Sequence, residues 1–375
     1  MGEEKIDLTV VLPTYNEAEN IKDIIERLVS VLEDAGITGF EILVVDDNSP
    51  DGTCLIVREM ALKDSRIRCL LRRRNRGLST AIMRGIHWAR GKYVVVMDAD
   101  FQHPPELVPI LYMKAVKTGA DVVVATRYAR GGGVEGWSRK RLLMSKLANL
   151  TAHVLVPPTR KTSDPMSGFF LVRKDRIRLE TLKPRGYKIL MEILARHPWL
   201  RVEEVPYVFR SRVRGKSKLG AKTVVDFLIH AASLSRMVRF GLVGLLGALL
   251  NLLVMTGSLL AGAPLDVASI LGIEAGLLFN FAFHERWTFE TRMRGNWKSR
   301  LLGYHAASAG GMAATYTAMK LLVVAGLASP IVGQAVGIAA GFGVNYGLSA
   351  GKVWRRREIA GGRVQEARRG DKKLY

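Results

Sequence analysis

The chain has 375 residues and a formal net charge of +22 at pH 7, because 56 lysines and arginines outnumber 34 aspartates and glutamates. This length exceeds one small domain, and the charge predicts an anionic partner. Nucleic acid is disfavoured because the sequence has no zinc-finger spacing, RNP-like aromatic motif or basic zipper, so a membrane is the better candidate. No secretory signal is visible, so we expect the globular part to stay in the cytoplasm.

Short β-branched segments alternate with helical stretches between Asp7 and about Val213. Strands that alternate with helices form parallel or mixed sheets covered on both faces, so this region is predicted to be an α/β domain. The predicted strands are Leu8–Leu12, Ile42–Val45, Ile67–Leu71, Tyr93–Met97 and Asp121–Ala125.

Only two cysteines are present, Cys54 and Cys69. Their spacing is not that of a tight metal site, and the sequence carries no other mark of an oxidising compartment. We therefore expect two unpaired, partly buried thiols without a chemical role.

Polar residues follow the first two predicted strands, where open α/β folds bind ligands. Pro13-Thr14-Tyr15-Asn16-Glu17 follows the first strand, and Asp46-Asp47 follows the second. A carboxylate there can accept a hydrogen bond from a ribose hydroxyl or a base N–H, and a tyrosine ring can stack on a base. Taken alone, each segment also fits an ordinary capped turn.

Two carboxylates lie one residue apart at the end of the fourth predicted strand, in Asp98-Ala99-Asp100. Mg²⁺ and Mn²⁺ are typically held by one or two carboxylates, with water and substrate phosphates in the other positions. The triplet therefore predicts a divalent cation and a phosphate-containing substrate. Asp-x-Asp is also a common solvated turn, but its position after a buried strand favours the metal site.

After about Ser235 the sequence is dominated by apolar stretches that approach or exceed the roughly 20 residues needed to cross a bilayer. Lysine and arginine lie before the first stretch, between the second and third, and after the last. The positive-inside rule then predicts that both termini and the α/β domain are cytoplasmic. The four predicted spans are Phe240–Ala263, Leu265–Phe283, Leu301–Leu327 and Pro330–Ala350.

Two further stretches, Arg139–Leu155 and Ala221–Val238, mix apolar residues at helical spacing with lysine or arginine. This pattern is typical of helices that lie on an anionic membrane surface. A solvated face of the globular domain explains it equally well.

Glycines recur at helical spacings in the predicted spans, among them Gly247, Gly333 and Gly337. They predict close packing of helix backbones within one bundle, in preference to a dimer interface. Glu274 is a carboxylate inside a predicted span, and such residues are rare enough to be functional candidates.

Several motifs together resemble the nucleotide-sugar domain of family 2 inverting glycosyltransferases, the GT-A fold, which is a doubly wound mixed α/β sheet. They are Pro13-Thr14-Tyr15-Asn16-Glu17, Asp46-Asp47, Arg76-Gly77-Leu78-Ser79 and Asp98-Ala99-Asp100. The membrane half resembles the GtrA-like four-helix domain that is fused to some dolichol-phosphate mannose synthases. Motifs similar to those synthases are Asp100-Phe101-Gln102-His103-Pro104-Pro105-Glu106, Thr126-Arg127-Tyr128, Asp164-Pro165-Met166-Ser167-Gly168-Phe169-Phe170 and Arg214-Gly215-Lys216-Ser217-Lys218-Leu219.

The resemblance implies roles for the matching residues. Arg127, Arg141 and Ser145 would bind the acceptor phosphate, and Asp98, Asp100 and Arg127 form the implied catalytic set. Asp98, Asp100 and Gln102 would hold Mg²⁺ or Mn²⁺. The residues implied in nucleotide-sugar binding are Pro13, Tyr15, Glu17, Val45, Asp47, Asp98, Ala99, Asp100, Gln102, Arg212 and Lys218.

The implied chemistry suits these residue types. Loss of a nucleoside diphosphate from an anomeric carbon builds negative charge on the leaving oxygens, which a metal and fixed cations stabilise. A lipid phosphate acceptor is already ionised near neutral pH because its second pKa is about 6, so no general base is required. The resemblance thus implies transfer of mannose, with inversion, from GDP-mannose to dolichyl or another polyprenyl phosphate, which yields dolichyl phosphate mannose and GDP.

Two alternatives stay open. The enzyme could transfer glucose or aminoarabinose to the same class of lipid, because the residues alone identify neither sugar nor base. The chain could instead be a glycolipid flippase with a nucleotide-binding domain, although the set of Asp98, Asp100 and Gln102 favours catalysis.

The resemblance covers nearly the whole chain and implies a multi-pass protein of the cell membrane. Residues 1–235 are expected to form a cytoplasmic GT-A domain with interfacial helices. Residues 236–352 are expected to form a GtrA-like transmembrane domain of four helices, and residues 353–375 a basic cytoplasmic tail.

Overall fold

The computed structural model describes residues 6–183, 186–210, 221–289 and 296–338. These residues belong to two compact units, and the boundary between them in the sequence lies between Ser235 and Arg236. The first unit is built around a β-sheet, and the described part of the second is helical. Arg212, Lys218, most of the fourth predicted span and the basic tail lie outside the described residues.

A mixed sheet forms the centre of the first unit. Its strands and a small additional pair are β1 (Leu8–Thr14), β2 (Phe40–Asp46), β3 (Ile67–Leu71), β4 (Tyr93–Val96), β5 (Val122–Thr126), β6 (Gly133–Val134), β7 (Phe170–Arg173), β8 (Val202–Pro206) and β9 (Val208–Phe209). The order is β3-β2-β1-β4-β7-β5-β8, and β6 pairs with β9. β7 is antiparallel to both neighbours, whereas β1, β2 and β4 are parallel. The carboxyl ends of β1, β2 and β4 therefore lie side by side.

Helices cover both faces of this sheet. They are α1 (Ile21–Asp34), α2 (Thr53–Ala61), α3 (Leu78–Trp88), α4 (Leu107–Thr118), α5 (Arg139–Leu155), α6 (Ile189–Arg196) and α7 (Ala221–Leu234). Alternate residues of β1 belong to different buried clusters: Leu8, Val10 and Leu12 pack with α1, α2 and α4, and Val11 packs with α3 and α6. Because both faces are buried, the central strands β4 and β5 are apolar at nearly every position.

The predicted α/β fold with a mixed sheet is confirmed. Each of the five predicted strands forms, with ends that differ from the prediction by two residues or fewer. β7 and β8 are not among the predicted strands. β7 lies directly after the polar segment that begins at Asp164. It pairs with β4 and β5, and the local sequence pattern does not indicate this position in the sheet.

The expectation of two unpaired thiols is wrong. Cys54 in α2 and Cys69 in β3 form a disulfide, with Cα atoms 6.1 Å apart. The chain reverses between α2 and β3, which brings residues 15 positions apart into contact. The spacing of the two cysteines does not predict this disulfide, because their contact depends on the turn that follows α2.

Two helices of the first unit correspond to the predicted interfacial stretches. α5 has the predicted limits, whereas α7 ends at Leu234, before the predicted end at Val238, because the helix stops at Ser235 and a new one begins at Arg236. One side of α5 packs with α6 and α7 through a small cluster that contains Ala152. Its other side exposes about half of the surface of Leu143, Leu147, Leu150 and Val154.

The second unit contains α8 (Arg236–Leu260), α9 (Leu265–Phe283), α10 (Trp297–Val324) and the helical residues 330–338. A π-helical turn, His284–Thr288, continues α9. Among the described residues, α8 and the segment Leu265–Thr288 are long and apolar enough to cross a membrane. α10 is less apolar, since it is rich in glycine, serine, threonine and other polar residues.

Glycines allow the helices of the second unit to approach closely. A Cβ on Gly276 of α9 would lie 2.7 Å from the carbonyl oxygen of Gly247 on α8. A Cβ on Gly337 would lie 2.5 Å from the Cα of Thr315 on α10. No room exists for a side chain at either contact, so the predicted close approach within the bundle is confirmed.

Charged side chains pair between α9 and α10. Glu274, the carboxylate inside a predicted span, has its Oε1 2.9 Å from Nε2 of His305. The same two helical segments form the pairs Asp266–Lys320 and Glu285–Arg300. Glu274 is therefore one member of a series of interhelical pairs.

Candidate active site

The loops at the carboxyl end of the sheet contain strained backbone. Asn16 follows β1, Asn48 follows β2, Asn75 follows β3 and Phe101 follows β4, and their φ angles are 61°, 57°, 53° and 60°. These four are the non-glycine residues with positive φ in the described part of the chain. Such conformations are uncommon and persist where surrounding contacts and function hold them. The strain therefore coincides with the predicted ligand-binding end of the sheet.

Asp46 and Asp47, at the end of β2, have different roles. Asp46 is buried, and its carboxylate accepts hydrogen bonds from the Ser49 N–H at 2.9 Å and the Ser49 hydroxyl at 2.6 Å. Asp47 accepts one from the Gly77 N–H at 2.6 Å, and its other oxygen lies 2.8 Å from Arg72 Nη1. Asp46 thus shapes its own loop, and Asp47 connects that loop to the start of α3.

The loop after β1 is tied to the loop after β2 through its backbone. Three consecutive N–H groups donate to side-chain oxygens: Asn16 to Ser49 at 2.9 Å, Glu17 to Thr53 at 3.1 Å and Ala18 to Asp51 at 3.0 Å. The two loops consequently form one rigid surface at the predicted nucleoside site.

The structure places the predicted nucleoside-binding residues on this surface to different degrees. Tyr15 is 42% exposed, so part of its side chain lies at the surface of the predicted site. Glu17 is half-buried and accepts a hydrogen bond from the Asn20 side chain at 2.9 Å. Pro13 and Val45 are paired in register and buried. The Val45 side chain packs in the core, so only its backbone could meet a ligand.

The predicted metal ligands lie together in the loop after β4. Ala99, Asp100 and Gln102 are buried, whereas the Asp98 side chain is 39% exposed. Asp100 Oδ1 accepts a hydrogen bond from the Gln102 N–H at 3.2 Å, and the Gln102 amide donates to the Arg210 carbonyl at 3.2 Å. The loop therefore holds one carboxylate and one amide rigidly and presents the other carboxylate, Asp98, at its surface.

His103 is absent from the predicted site but contacts it directly. Its Nδ1 accepts a hydrogen bond from the Asp98 N–H at 2.9 Å, so the neutral ring carries its proton on Nε2. The ring stacks on Phe169, with centroids 5.0 Å apart. Burial lowers the pKa of His103 to about 4, and the charge of Asp100 offsets this only in part. His103 is thus a neutral group that positions the backbone of Asp98.

These residues fit a divalent cation. Two carboxylates and an amide oxygen are hard ligands of the kind that Mg²⁺ and Mn²⁺ accept together with substrate phosphates. Gly168 lies beside Asp98, since a Cβ at this position would be in van der Waals contact with Asp98 Oδ2, at 3.7 Å. In the described ranges, no group of three or more His, Cys, Asp or Glu side chains could hold a metal ion. The predicted ligand set consists of Asp98, Asp100 and Gln102. Only its two aspartates are of these four residue types, so the set does not form such a group.

Arg127, at the end of β5, is held in a buried ion pair. Its Nε and Nη2 donate to the two oxygens of Asp164 at 2.7 and 2.8 Å. Burial opposes the charge of the guanidinium, but the bonds to Asp164 outweigh burial and raise the pKa of Arg127. Asp164 is not among the predicted site residues. It lies 37 positions from Arg127 in the sequence, so local pattern does not indicate that the two side chains pair.

α5 brings the other two predicted acceptor residues towards Arg127. Ser145 accepts a hydrogen bond at 2.7 Å from the hydroxyl of Tyr128, which follows Arg127 in the chain. The Arg141 guanidinium lies 4.1 Å from the centroid of the Trp137 ring, and the Arg127 guanidinium lies 5.4 Å from the same ring. The three residues predicted to bind the acceptor phosphate therefore share one neighbourhood.

A cavity of about 600 Å³ lies between Arg127 and α5. Its lining combines cations, hydrogen-bonding groups and apolar side chains, which fits a ligand with an anionic head and a hydrocarbon chain. Lys146, Asn149 and His153 are lining residues that the prediction lacks, although their spacing places them on one face of α5. The cavity is lined by Arg127, Tyr128, Gly133, Val134, Leu142, Lys146, Asn149, Leu150, His153 and Ser163.

Matches to known protein families and to a curated relative extend over most of the chain. Residues 9–178 match the family described as Glycosyl transferase family 2, and residues 239–354 match the family described as GtrA/DPMS, transmembrane domain. A dolichol-phosphate mannosyltransferase of Pyrococcus furiosus is 38% identical over 354 residues, which cover 92% of this chain and 99% of that protein.

Two more comparisons cover shorter regions. A dolichol-phosphate mannosyltransferase of Saccharomyces cerevisiae is 38% identical over 234 residues, which cover 60% of this chain and 85% of that protein. The crystal structure of mannosyl-3-phosphoglycerate synthase from Rubrobacter xylanophilus is similar with a TM-score of 0.46 and 19% identity, over 60% of this chain and 72% of that one. The match to the Pyrococcus protein thus includes both units, and these two concern smaller parts of the chain.

Proposed function

Because the chain belongs to the dolichol-phosphate mannosyltransferase family, we propose that it transfers mannose from GDP-mannose to dolichyl phosphate, with inversion at the anomeric carbon. The products are dolichyl phosphate mannose and GDP. The observation that carries the proposal is the loop Asp164–Gly168. Its first residue pairs with Arg127, and its last residue lies beside Asp98. One short loop thus connects Arg127, the proposed acceptor cation, with Asp98, the proposed metal ligand.

In this proposal the donor lies across the carboxyl ends of β1, β2 and β4. Tyr15 offers its exposed ring to the base, and the loops after β1 and β2 form the wall of the nucleoside site. Asp98, Asp100 and Gln102 would hold Mg²⁺ or Mn²⁺, which when bound stabilises the charge of the leaving diphosphate. Arg212 and Lys218, outside the described residues, are assigned to the donor by the family resemblance alone.

The acceptor supplies its own nucleophile. A lipid phosphate is ionised near neutral pH, so it needs orientation and no proton acceptor. This scheme needs no proton acceptor, and His103 is not poised to be one. Its ring is neutral, and its Nδ1 already accepts a hydrogen bond from the Asp98 N–H. Arg127 and Arg141 would orient the phosphate, because guanidinium groups fork onto phosphate oxygens.

We further propose that the first unit, residues 1–235, works on the cytoplasmic face of the cell membrane. Residues 236–352 would form four spanning helices, and residues 353–375 a cytoplasmic tail. The half-exposed apolar residues of α5, next to lysines and arginines of the same helix, suit a helix that lies on an anionic bilayer. In that position the Arg127 cavity would open towards its lipid substrate.

Transfer can be tested directly with the purified full-length protein. Incubation with Mn²⁺, dolichyl phosphate and radiolabelled GDP-mannose is expected to give a labelled lipid, and radiolabelled UDP-glucose is expected to give none. Label from UDP-glucose alone would contradict the assigned donor. Movement of a preformed mannolipid across vesicles without any transfer would instead support the flippase alternative.

Replacement of Arg141 tests the acceptor site. Arg141→Ala is expected to raise the KM for dolichyl phosphate, because loss of a charge-assisted hydrogen bond costs about 1.5–3 kcal/mol, or roughly tenfold to over a hundredfold. GDP-mannose affinity, measured by calorimetry, is expected to stay unchanged. Arg139→Ala, an exposed arginine at the start of the same helix, is the matched control. Lys218→Ala is expected to show the opposite bias, and the reverse pattern would show that the basic residues are wrongly divided.

Removal of the second unit tests the domain assignment. A protein that ends at Ser235 is expected to bind GDP-mannose with the affinity of the full chain, because it retains the whole sheet and its own buried clusters. Lipid transfer is expected to become weak or dependent on detergent. Circular dichroism would establish that the shortened protein is folded. A folded protein that binds no nucleotide sugar would place the functional boundary elsewhere.

A further inference from the structure

Lys188 directs its ammonium group towards the loop between the two halves of the candidate active site. It lies at the start of α6, and its Nζ donates to the Met166 carbonyl at 3.0 Å. Met166 lies in the loop Asp164–Gly168, which pairs with Arg127 at one end and borders Asp98 at the other. The ammonium group is therefore held beside the loop on which the proposed reaction depends.

The segment before Lys188 contacts the donor side as well. The Ser79 hydroxyl, at the start of α3, donates to the Gly186 carbonyl at 2.8 Å. Gly77, two residues earlier, binds Asp47 through its N–H. Lys188 thus lies where the start of α3 and the loop beside Asp98 come together.

Lys188 has no counter-ion of its own in the described part of the chain. Asp164 is occupied by both bonds from Arg127, and among residues 6–183, 186–210, 221–289 and 296–338 no carboxylate lies within ion-pair distance of Lys188. Burial and, to a smaller extent, the charge of Arg127 lower the pKa of Lys188, whereas Asp164 and Asp98 raise it, and the net pKa is about 8. The group therefore stays mostly protonated at neutral pH. Lys188 is half-buried, and a cation that has lost much of its hydration and lacks a counter-ion is costly unless a ligand supplies the anion.

We propose that Lys188 is a substrate-contacting residue that donates a hydrogen bond to a phosphate oxygen in the active site. The leaving diphosphate of the donor is the favoured source of that oxygen, because the neighbours of Lys188 are the start of α3 and the loop beside Asp98. The acceptor phosphate offers the same chemistry and is the second source to be tested. This inference rests on the proposed function.

Lys174 provides a matched control for the structural effects of removing such a lysine. Its Nζ also donates to backbone carbonyls, those of His87 at 2.8 Å and Ala89 at 2.5 Å, and burial lowers its pKa. Lys174 follows β7 near the start of β4, at the opposite end of the sheet from Asp98. Lys174→Met thus removes a similar group far from the substrates.

The test compares full-length Lys188→Met, Lys188→Arg and Lys174→Met with the unmodified protein. Calorimetry with GDP and GDP-mannose is expected to show a loss of affinity of about tenfold to a hundredfold in Lys188→Met. Lys188→Arg is expected to retain part of the affinity, because it keeps the cation. Lys174→Met is expected to bind both ligands normally. Thermal unfolding of each variant separates loss of folding from loss of binding. If Lys188→Met does not fold, Lys188→Gln takes its place.

Other outcomes are equally decisive. If GDP binds normally and the KM for dolichyl phosphate rises by the same factor, the phosphate oxygen belongs to the acceptor. If both ligands behave as in the unmodified protein, Lys188 only supports the Met166 carbonyl and the inference is overturned. If the unmodified protein itself fails to bind GDP-mannose or to use dolichyl phosphate, the proposed function fails, whatever the variants do.

Discussion

Asp98→Asn and Asp100→Ala are each expected to reduce divalent-dependent transfer severely while leaving the protein folded. The metal that these residues would hold contributes several kcal/mol to a transition state that carries charge on the leaving oxygens, so we expect a loss of about a thousandfold in kcat/KM. Asp98→Asn keeps the bond from its backbone N–H to His103, because that bond does not involve the substituted atoms. Transfer measured over a range of Mn²⁺ concentrations, and after chelation, gives the result.

Asp175→Asn is the matched control for these two variants. Asp175 is an exposed carboxylate that pairs with Arg173 just after β7, at the end of the sheet away from Asp98. The Asp175→Asn variant is expected to transfer mannose at the normal rate, with the same metal dependence as the unmodified protein. Wild-type rates in Asp98→Asn or Asp100→Ala would remove these carboxylates from the metal site.

The second large effect concerns the ion pair between Arg127 and Asp164. Asp164 is fully buried and Arg127 nearly so, and Asp164→Asn leaves the guanidinium without its charged partner. Removal of one partner from a buried pair costs about 3–5 kcal/mol, which corresponds to a fall in Tm of roughly 6–20 °C for a domain of this size. Transfer is expected to fall as well, because the loop Asp164–Gly168 loses its anchor. Thermal unfolding in detergent, followed by circular dichroism, measures the shift.

Asp64→Asn serves as the control for that experiment. Asp64 also forms a two-fold bond with an arginine, Arg66, but both side chains are partly exposed, at 24% and 32%. A pair of this kind contributes about 1 kcal/mol or less. If both variants lower Tm equally, burial does not set the strength of the Arg127 pair. The same argument shows that Arg127→Ala would disturb folding, so Arg141 is the cleaner test of the acceptor site.

The sheet could be predicted from sequence because its signal is local. A strand buried on both faces is apolar at successive positions, and a polar residue follows it wherever the chain leaves the sheet. Leu8 to Thr14 and Tyr93 to Val96 show this pattern clearly, and so the sequence alone locates Asp98 and Asp100 at the end of a strand.

The remaining parts of the site depend on contacts that local pattern does not contain. Asp164 meets Arg127 across 37 positions, and Lys188 reaches Met166 only because α6 packs under the loop. The disulfide between Cys54 and Cys69 depends likewise on a chain reversal. Such pairs become visible when the topology is known, since sequence motifs identify residues and not their partners.

The link between the loops after β1 and β2 has a consequence for the evolution of donor preference. Asn16, Glu17 and Ala18 contribute backbone N–H groups to it, and every residue except proline carries such a group. The side chains of Glu17 and Ala18 can therefore diverge while the loop keeps its shape, provided that Thr53 and Asp51 are retained, whereas the positive φ of Asn16 favours asparagine or glycine. A lineage could in this way exchange one nucleobase for another by point mutation, without rebuilding the domain that carries the chemistry.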